Sequence, residues 1–192
     1  MRFAIHVALT SCLGLWACGG STGDTVPIPS FLVGDPPPGS STSCPVIGFD
    51  DAGPPAAPVT TYTRCGFTVT AATSNWAVWT GYGHPAPFIG FMSAEGETTT
   101  AQIRVTAAAG KFTFQSVDVY SSTTPIPYVI RGVANGETVF TLQDTQPNTF
   151  GDFATVSNPN ASVQIDALVI QLVNPAAPCC PNPTGLDNIV VQ

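Results

Sequence analysis

The sequence predicts an all-β domain, a two-sheet antiparallel β-sandwich of the jelly-roll type, and three observations carry that expectation. After about residue 44 the apolar segments are short, rich in Val, Ile, Phe and Thr, and closely punctuated by Gly, Pro, Asn and Asp, the pattern of strands and turns. No segment keeps an apolar spacing of three and four, and prolines interrupt most stretches long enough to be helical. No blade-length repeat is visible, which argues against a propeller and leaves two packed sheets.

Taken in order, strands are expected at 45–50, 61–71, 76–80, 87–92, 98–108, 112–121, 126–134, 137–143, 150–157, 162–173 and 186–192. Period-two alternation is clearest from Thr99 to Val105 and at Phe112 and Phe114. Asn135 and Gly136 form a two-residue link that requires positive φ, so the strands on either side should make a hairpin. The alternation slips near Ser116 and again near Asp166, and each slip predicts a bulge.

Two segments precede this domain of 44–192. Residues 18–43 are Gly, Ser, Thr and Pro, with Phe31, Leu32 and Val33 as the one apolar patch. Such a stretch buries too little apolar surface to offset ordering and reads as an extended tether. Residues 1–17 hold Arg2 and an apolar run from Phe3 to Trp16 broken by His6, Thr10, Ser11 and Gly14, a secretory signal too short to span a bilayer. Leu15, Trp16, Ala17, Cys18 resembles the bacterial lipobox, with Trp16 as its departure from the usual small residue. Leu9 to Cys12 is similar, but a cut there leaves an apolar core of about six residues, below the usual ~7–15. The resemblance implies acylation of Cys18, with several chains giving stable rather than marginal membrane attachment. The chain is then expected in an oxidising space, lipid-anchored in the bacterial envelope. Gly19 stands where an inner-membrane retention aspartate would, which points to the outer membrane. An ordinary secretory cut nearby is the alternative, and it preserves export.

Charge narrows the partners. Losing Arg2 with the signal takes the net charge from −7 to −8, so nucleic acid and anionic lipid head groups are excluded as partners.

The series Gly48, Phe49, Asp50, Asp51; Cys65, Gly66, Phe67; a Trp-containing segment; Phe114 to Asp118; Ile130, Gly132, Asn135, Gly136; Ile165, Asp166, Leu168; and Leu186, Asp187, Asn188, Ile189 resembles the jelly-roll ectodomains of secreted bacterial proteins, among them those with a PEP-CTERM sorting tail. Their sandwich is similar to that of carbohydrate-binding modules. Val190, Val191, Gln192 carries no such sorting motif, so the lipid on Cys18 is expected to replace that anchor. In the similar modules an acidic residue after a Phe on the first strand and an Asp on the last help to hold a structural calcium. The resemblance therefore implies calcium at Asp50, Asp51 and Asp187, with six to eight oxygens to be found. The plainer alternative is that these carboxylates accept hydrogen bonds from backbone amides at strand ends.

With Cys12 removed and Cys18 acylated, Cys44, Cys65, Cys179 and Cys180 remain, enough for two disulfides. Adjacent cysteines rarely bond to each other, so Cys179 and Cys180 are each expected to reach a partner near the start of the domain, at about 2–4 kcal/mol per bridge. A cysteine metal site is disfavoured without nearby histidine or Cys-x-x-Cys spacing.

The segment Asn75 to Pro85 gathers Trp76, Trp79, Tyr82 and His84 beside Gly81 and Gly83. Sugar rings present flat C–H faces that stack on aromatic rings, while His and Asn bind hydroxyls, so exposure of these side chains would suit a glycan. Tryptophans of this size and spacing also fill the space between sheets. Exposure of two of the three rings on one face would favour the ligand; burial of both tryptophans would end that reading. For catalysis there is no Gly-x-Ser-x-Gly elbow, no His-Glu-x-x-His and no phosphate-cradling glycine loop. A carboxylate glycosidase would need a pair from Asp118, Asp144, Asp152 or Asp166, and twelve acids offer such pairs by chance. The expectation is a surface protein that binds glycan or another surface polymer without catalysis. A structural or adhesive module packed on other envelope proteins is the alternative, and a glycosidase the least supported.

Overall fold

Alternating Val, Ile, Phe and Thr can bury one face of a strand and leave the other to solvent, as in β3 and β6, and the chain forms twelve strands. The computed structural model describes residues 44–73, 75–84, 86–94, 96–176 and 182–192. Cys18, the signal, the tether, Cys179 and Cys180 lie outside the described residues. The strands are β1 (Val46–Ile47), β2 (Thr61–Arg64), β3 (Phe67–Ala71), β4 (Ala77–Trp79), β5 (Phe88–Met92), β6 (Thr99–Ala107), β7 (Phe114–Ser121), β8 (Ile126–Ala134), β9 (Glu137–Gln146), β10 (Phe153–Ser157), β11 (Ala167–Asn174) and β12 (Pro183–Val191). Sheet A runs β10-β7-β12-β5-β4, with β1 pairing the end of β12; sheet B runs β2-β3-β6-β11-β8-β9. Every pairing is antiparallel, so the all-β sandwich stands. Among the described residues no helix is long and apolar enough to cross a membrane.

The expected strand 61–71 is two strands. Cys65 and Gly66 both take positive φ, 53° and 80°, and turn β2 back on β3. Asn135 and Gly136, at 53° and 83°, make the same kind of turn between β8 and β9, where the sequence announces it. Cysteine rarely adopts this conformation, and here Cys65 is bonded to Cys44, with their Cα atoms 5.6 Å apart. That bond corrects the expected connectivity: Cys44 and Cys65 pair with each other, so neither serves Cys179 or Cys180. The slip near Ser116 is an irregularity in the pairing of β7 with β12. At Asp166 there is no bulge within a strand, because β11 starts one residue later. A further irregularity between Gly132 and Val133 has no sequence signal. It accompanies Phe140, whose ring occupies the space a Cβ on Gly132 would need.

The inward faces form one core. Sheet A contributes Val78, Ile89, Phe91, Val117, Val119, Leu186 and Ile189; sheet B contributes Val69, Ile103, Val105, Ile130, Leu168, Ile170 and Leu172, all buried. At the side where β2 faces β1, Arg64 donates to the Gly48 carbonyl at 3.3 Å and the Tyr62 hydroxyl lies 3.0 Å from that same oxygen, tying the two sheets together beside the Cys44–Cys65 bridge.

Candidate functional site

Directly paired residues on antiparallel strands share a face, so the register sorts the side chains of sheet A. Ile89 and Leu186 point into the core; their neighbours Phe88, Gly90 and Gly185 point outward, with Trp79, Tyr120 and Phe153 in register beside them. Phe88 lies over two glycines. A Cβ on Gly185 would meet the Phe88 ring at 2.6 Å and one on Gly90 would meet it at 3.0 Å, so the missing side chains make the seat for the ring. Tyr120 packs on Phe88 at 5.0 Å between centroids, and Phe153 packs on both at 5.5 Å.

Phe88 and Tyr120 face outward yet are buried, because residues 80–84 cross back over them. Gly83 takes φ of 79° and passes so close that a Cβ would lie 3.0 Å from Phe88 and 3.1 Å from Phe153. Burial holds the Tyr120 phenol above its ordinary pKa. Sequence reasoning missed Phe88, Tyr120 and Phe153, which are 32 and 33 residues apart along the chain.

On top of this platform stands Tyr82, 43 % exposed, edge-on to Trp79 with centroids 5.9 Å apart. Trp79 is half-buried and its Nε1 hydrogen has no acceptor among the described residues. A buried donor left unpaired costs about 1–3 kcal/mol. His84 follows on the same loop, exposed. The structure thus brings together Trp79 and Tyr82 of the expected set. Trp76 does not belong with them: it is 1 % exposed, packs edge-on to Phe91 at 5.1 Å, and donates its Nε1 hydrogen to the Gln102 carbonyl at 3.2 Å. Trp76 is core, and its expected ligand role is corrected.

The expected carboxylate set lies elsewhere, at the junction of β1, β12 and the β2 edge. Arg64 sits 3.2 Å from Asp51 and 3.5 Å from Asp50, and Tyr62 donates a short hydrogen bond to Asp51. That bond, with the nearby guanidinium, holds Asp51 below the usual carboxylate range. Asp187 is 3 % exposed and accepts the Phe49 amide hydrogen at 3.3 Å. Burial raises its pKa from 3.8 to about 6, with the carboxylates of Asp50 and Asp118 pushing the same way. Asp118 pairs with it across β7 and β12, accepting from Thr155 at 2.6 Å and Asn188 at 3.0 Å. A guanidinium already stands between Asp50 and Asp51, and no three Asp, Glu, His or Cys side chains among the described residues gather as ligands. Asp144, Asp152 and Asp166 lie on separate elements, and Asp166 accepts the Asn135 amide hydrogen at 2.5 Å.

Among solved structures the chain is similar, at low TM-score and identity, to several carbohydrate-binding modules. The family 61 module TmCBM61, solved with β-1,4-galactotriose, has a TM-score of 0.44 and 10 % identity over 66 % of this chain and 87 % of that one. A family 29 module from Piromyces equi gives 0.42 and 14 % over 70 % and 88 %, and the family 32 module of C. perfringens NanJ, solved with galactose, 0.43 and 11 % over 69 % and 98 %. No protein-family model matches the chain, and no curated protein does.

Proposed function

We propose that this chain is a lipid-anchored protein of the bacterial envelope whose sandwich binds a glycan without catalysis, through Trp79 and Tyr82. The observation that carries the reading is the pairing of these two rings on the outward face of sheet A, one with an unpaired N–H and one exposed. A sugar's C–H face would lie on Tyr82 against the Trp79 edge, and its hydroxyls would meet His84. Phe88, Tyr120 and Phe153 act below as the support that fixes the loop, so the site is organised before a ligand arrives.

The test is a glycan array probed with the purified full-length chain, followed by titration of the best ligand. Trp79→Ala and Tyr82→Ala should each weaken binding about tenfold, roughly 1.4 kcal/mol, with the melting temperature of Tyr82→Ala unchanged. An array without a hit, or a hit indifferent to both substitutions, would refute the site. The anchor rests on Cys18 alone and is tested in the same expression host, where Cys18→Ala should abolish acyl-chain labelling and release the protein from membranes.

A further inference from the structure

The opposite face of the molecule, the outward face of sheet B, has a different chemistry. Register and burial set Val105, Ile130, Leu168 and Leu172 inward, so the residues between them point out. Across four strands one row reads Gln102 (β6), Gln171 (β11), Val129 (β8) and Gln143 (β9). The next row contains Arg104, Val169 and Arg131 in direct register. The two arginines are two strand spacings apart, about 10 Å, and neither has an ion-pair partner among the described residues. Val169 is 9 % exposed although it lies outside the core cluster, covered by the aliphatic stems of the arginines that flank it.

No outward position of the six strands of this sheet carries a carboxylate; its formal charges are Arg104 and Arg131. In a chain with twelve acids and five basic residues, that is a marked segregation. Beside the glutamine row lies a depression of about 310 Å³ lined by Pro127, Tyr128, Val129, Gln143, Asp144, Thr145 and Val173, with the exposed Asp144 carboxylate at one end of it. Arg131 is the next outward residue along β8 from Val129, at the end away from Asp144.

We infer that this face is a second saccharide site, selective for an acidic polysaccharide that carries uronate carboxylates. The floor takes the C–H face of a sugar ring, the glutamine amides pair with its hydroxyls as donors and acceptors, and a carboxylate of the chain receives a bidentate contact from Arg131 or Arg104. The net negative charge of the protein does not forbid this. The carboxylates of Asp118 and Asp187 lie on sheet A, on the other side of the core; on this sheet Glu137 and Asp144 stand toward the two ends of β9, and Arg131 pairs with Thr141 between them. The inference is independent of Trp79 and Tyr82.

Affinity electrophoresis of the full-length chain in gels containing polygalacturonate, with neutral galactan as control, tests it. The chain should be retarded by polygalacturonate, and Arg104→Gln combined with Arg131→Gln should weaken that retardation roughly tenfold or more. Gln171→Glu, which sets a carboxylate between the arginine row and the depression, should weaken it as well, while Trp79→Ala should leave it intact. Unaltered mobility of the wild type, equal retardation of the arginine variant, or a loss on Trp79→Ala with none on Arg104→Gln and Arg131→Gln would each overturn the assignment. Loss of neutral-glycan binding with polygalacturonate retardation intact would count against the aromatic site alone.

Discussion

The outward faces of the two sheets solve the same problem in opposite ways. Sheet A turns Trp79, Phe88, Tyr120 and Phe153 away from the core, and so needs residues 80–84 laid over them. Sheet B turns out Thr68, Thr70, Gln102, Arg104 and Gln171, polar side chains that are exposed or half-buried among the described residues. Outward aromatics thus convert half of a two-layer fold locally into three layers, and the third layer is a loop that can carry exposed rings. A polar face stays two layers thick and offers a flat, hydrogen-bonding surface.

Crowding the two faces should therefore have very different costs. Gly185→Val forces a side chain into the Phe88 ring and the Ile89 carbonyl on the covered face. Backbone cannot yield as a flexible side chain can, so the loss of stability should be about 3 kcal/mol or more, the largest effect expected here. Thr106→Val, at an outward position of sheet B between Thr68 and Ala167, should stay within about 0.5 kcal/mol. Chemical denaturation of both variants checks the pair; similar losses would mean that the faces do not differ as described.

A second difference is electrostatic. Asp187 is an outward carboxylate of sheet A that burial has trapped, and its pKa lies near 6 against 3.8 when free. An acid whose pKa is raised by folding stabilises the folded state fully below its unfolded value and loses that contribution as pH climbs through the folded one. Between pH 3.8 and above 6 the loss amounts to about 3 kcal/mol at most. Asp187→Asn keeps an acceptor for the Phe49 amide and removes the charge, so it should be more stable than wild type at pH 7.5 and lose that advantage near pH 4. Melting curves of the two proteins across this range isolate the contribution from all other carboxylates; parallel pH profiles would refute it.

Much of the fold was legible and much of the site was not, for one physical reason. Alternation and turn chemistry act over a few residues, so Thr99 to Val105 and the Asn135–Gly136 turn could be read directly. The β2–β3 turn was hidden because its positive φ falls on Cys65, a residue without turn preference that a bond to Cys44 holds in place. Trp76 and Trp79 are three residues apart and look alike in sequence, yet odd spacing on a strand segment sends them to opposite faces. Only the register showed which one met the core. Phe88, Tyr120 and Phe153 meet through β5, β12, β7 and β10, a neighbourhood that no local pattern encodes.

The smallest effect concerns the open side where the sheets meet. Arg64 reaches from β2 to Asp50, Asp51 and the Gly48 carbonyl, supplying there the positive charge that a divalent ion would otherwise bring. Its carboxylate partners are largely solvent-exposed, so screening limits each pair and the contact contributes little. Arg64→Gln should therefore lower the melting temperature slightly at low salt and by less at 1 M, while EDTA leaves the wild-type melting temperature where it was. The disulfide one residue on keeps β2 in place in this variant, so the change reads out the charge and not the loss of the strand. A wild-type protein that melts earlier with EDTA and recovers on adding calcium would show that an ion, and not Arg64, closes this side of the sandwich.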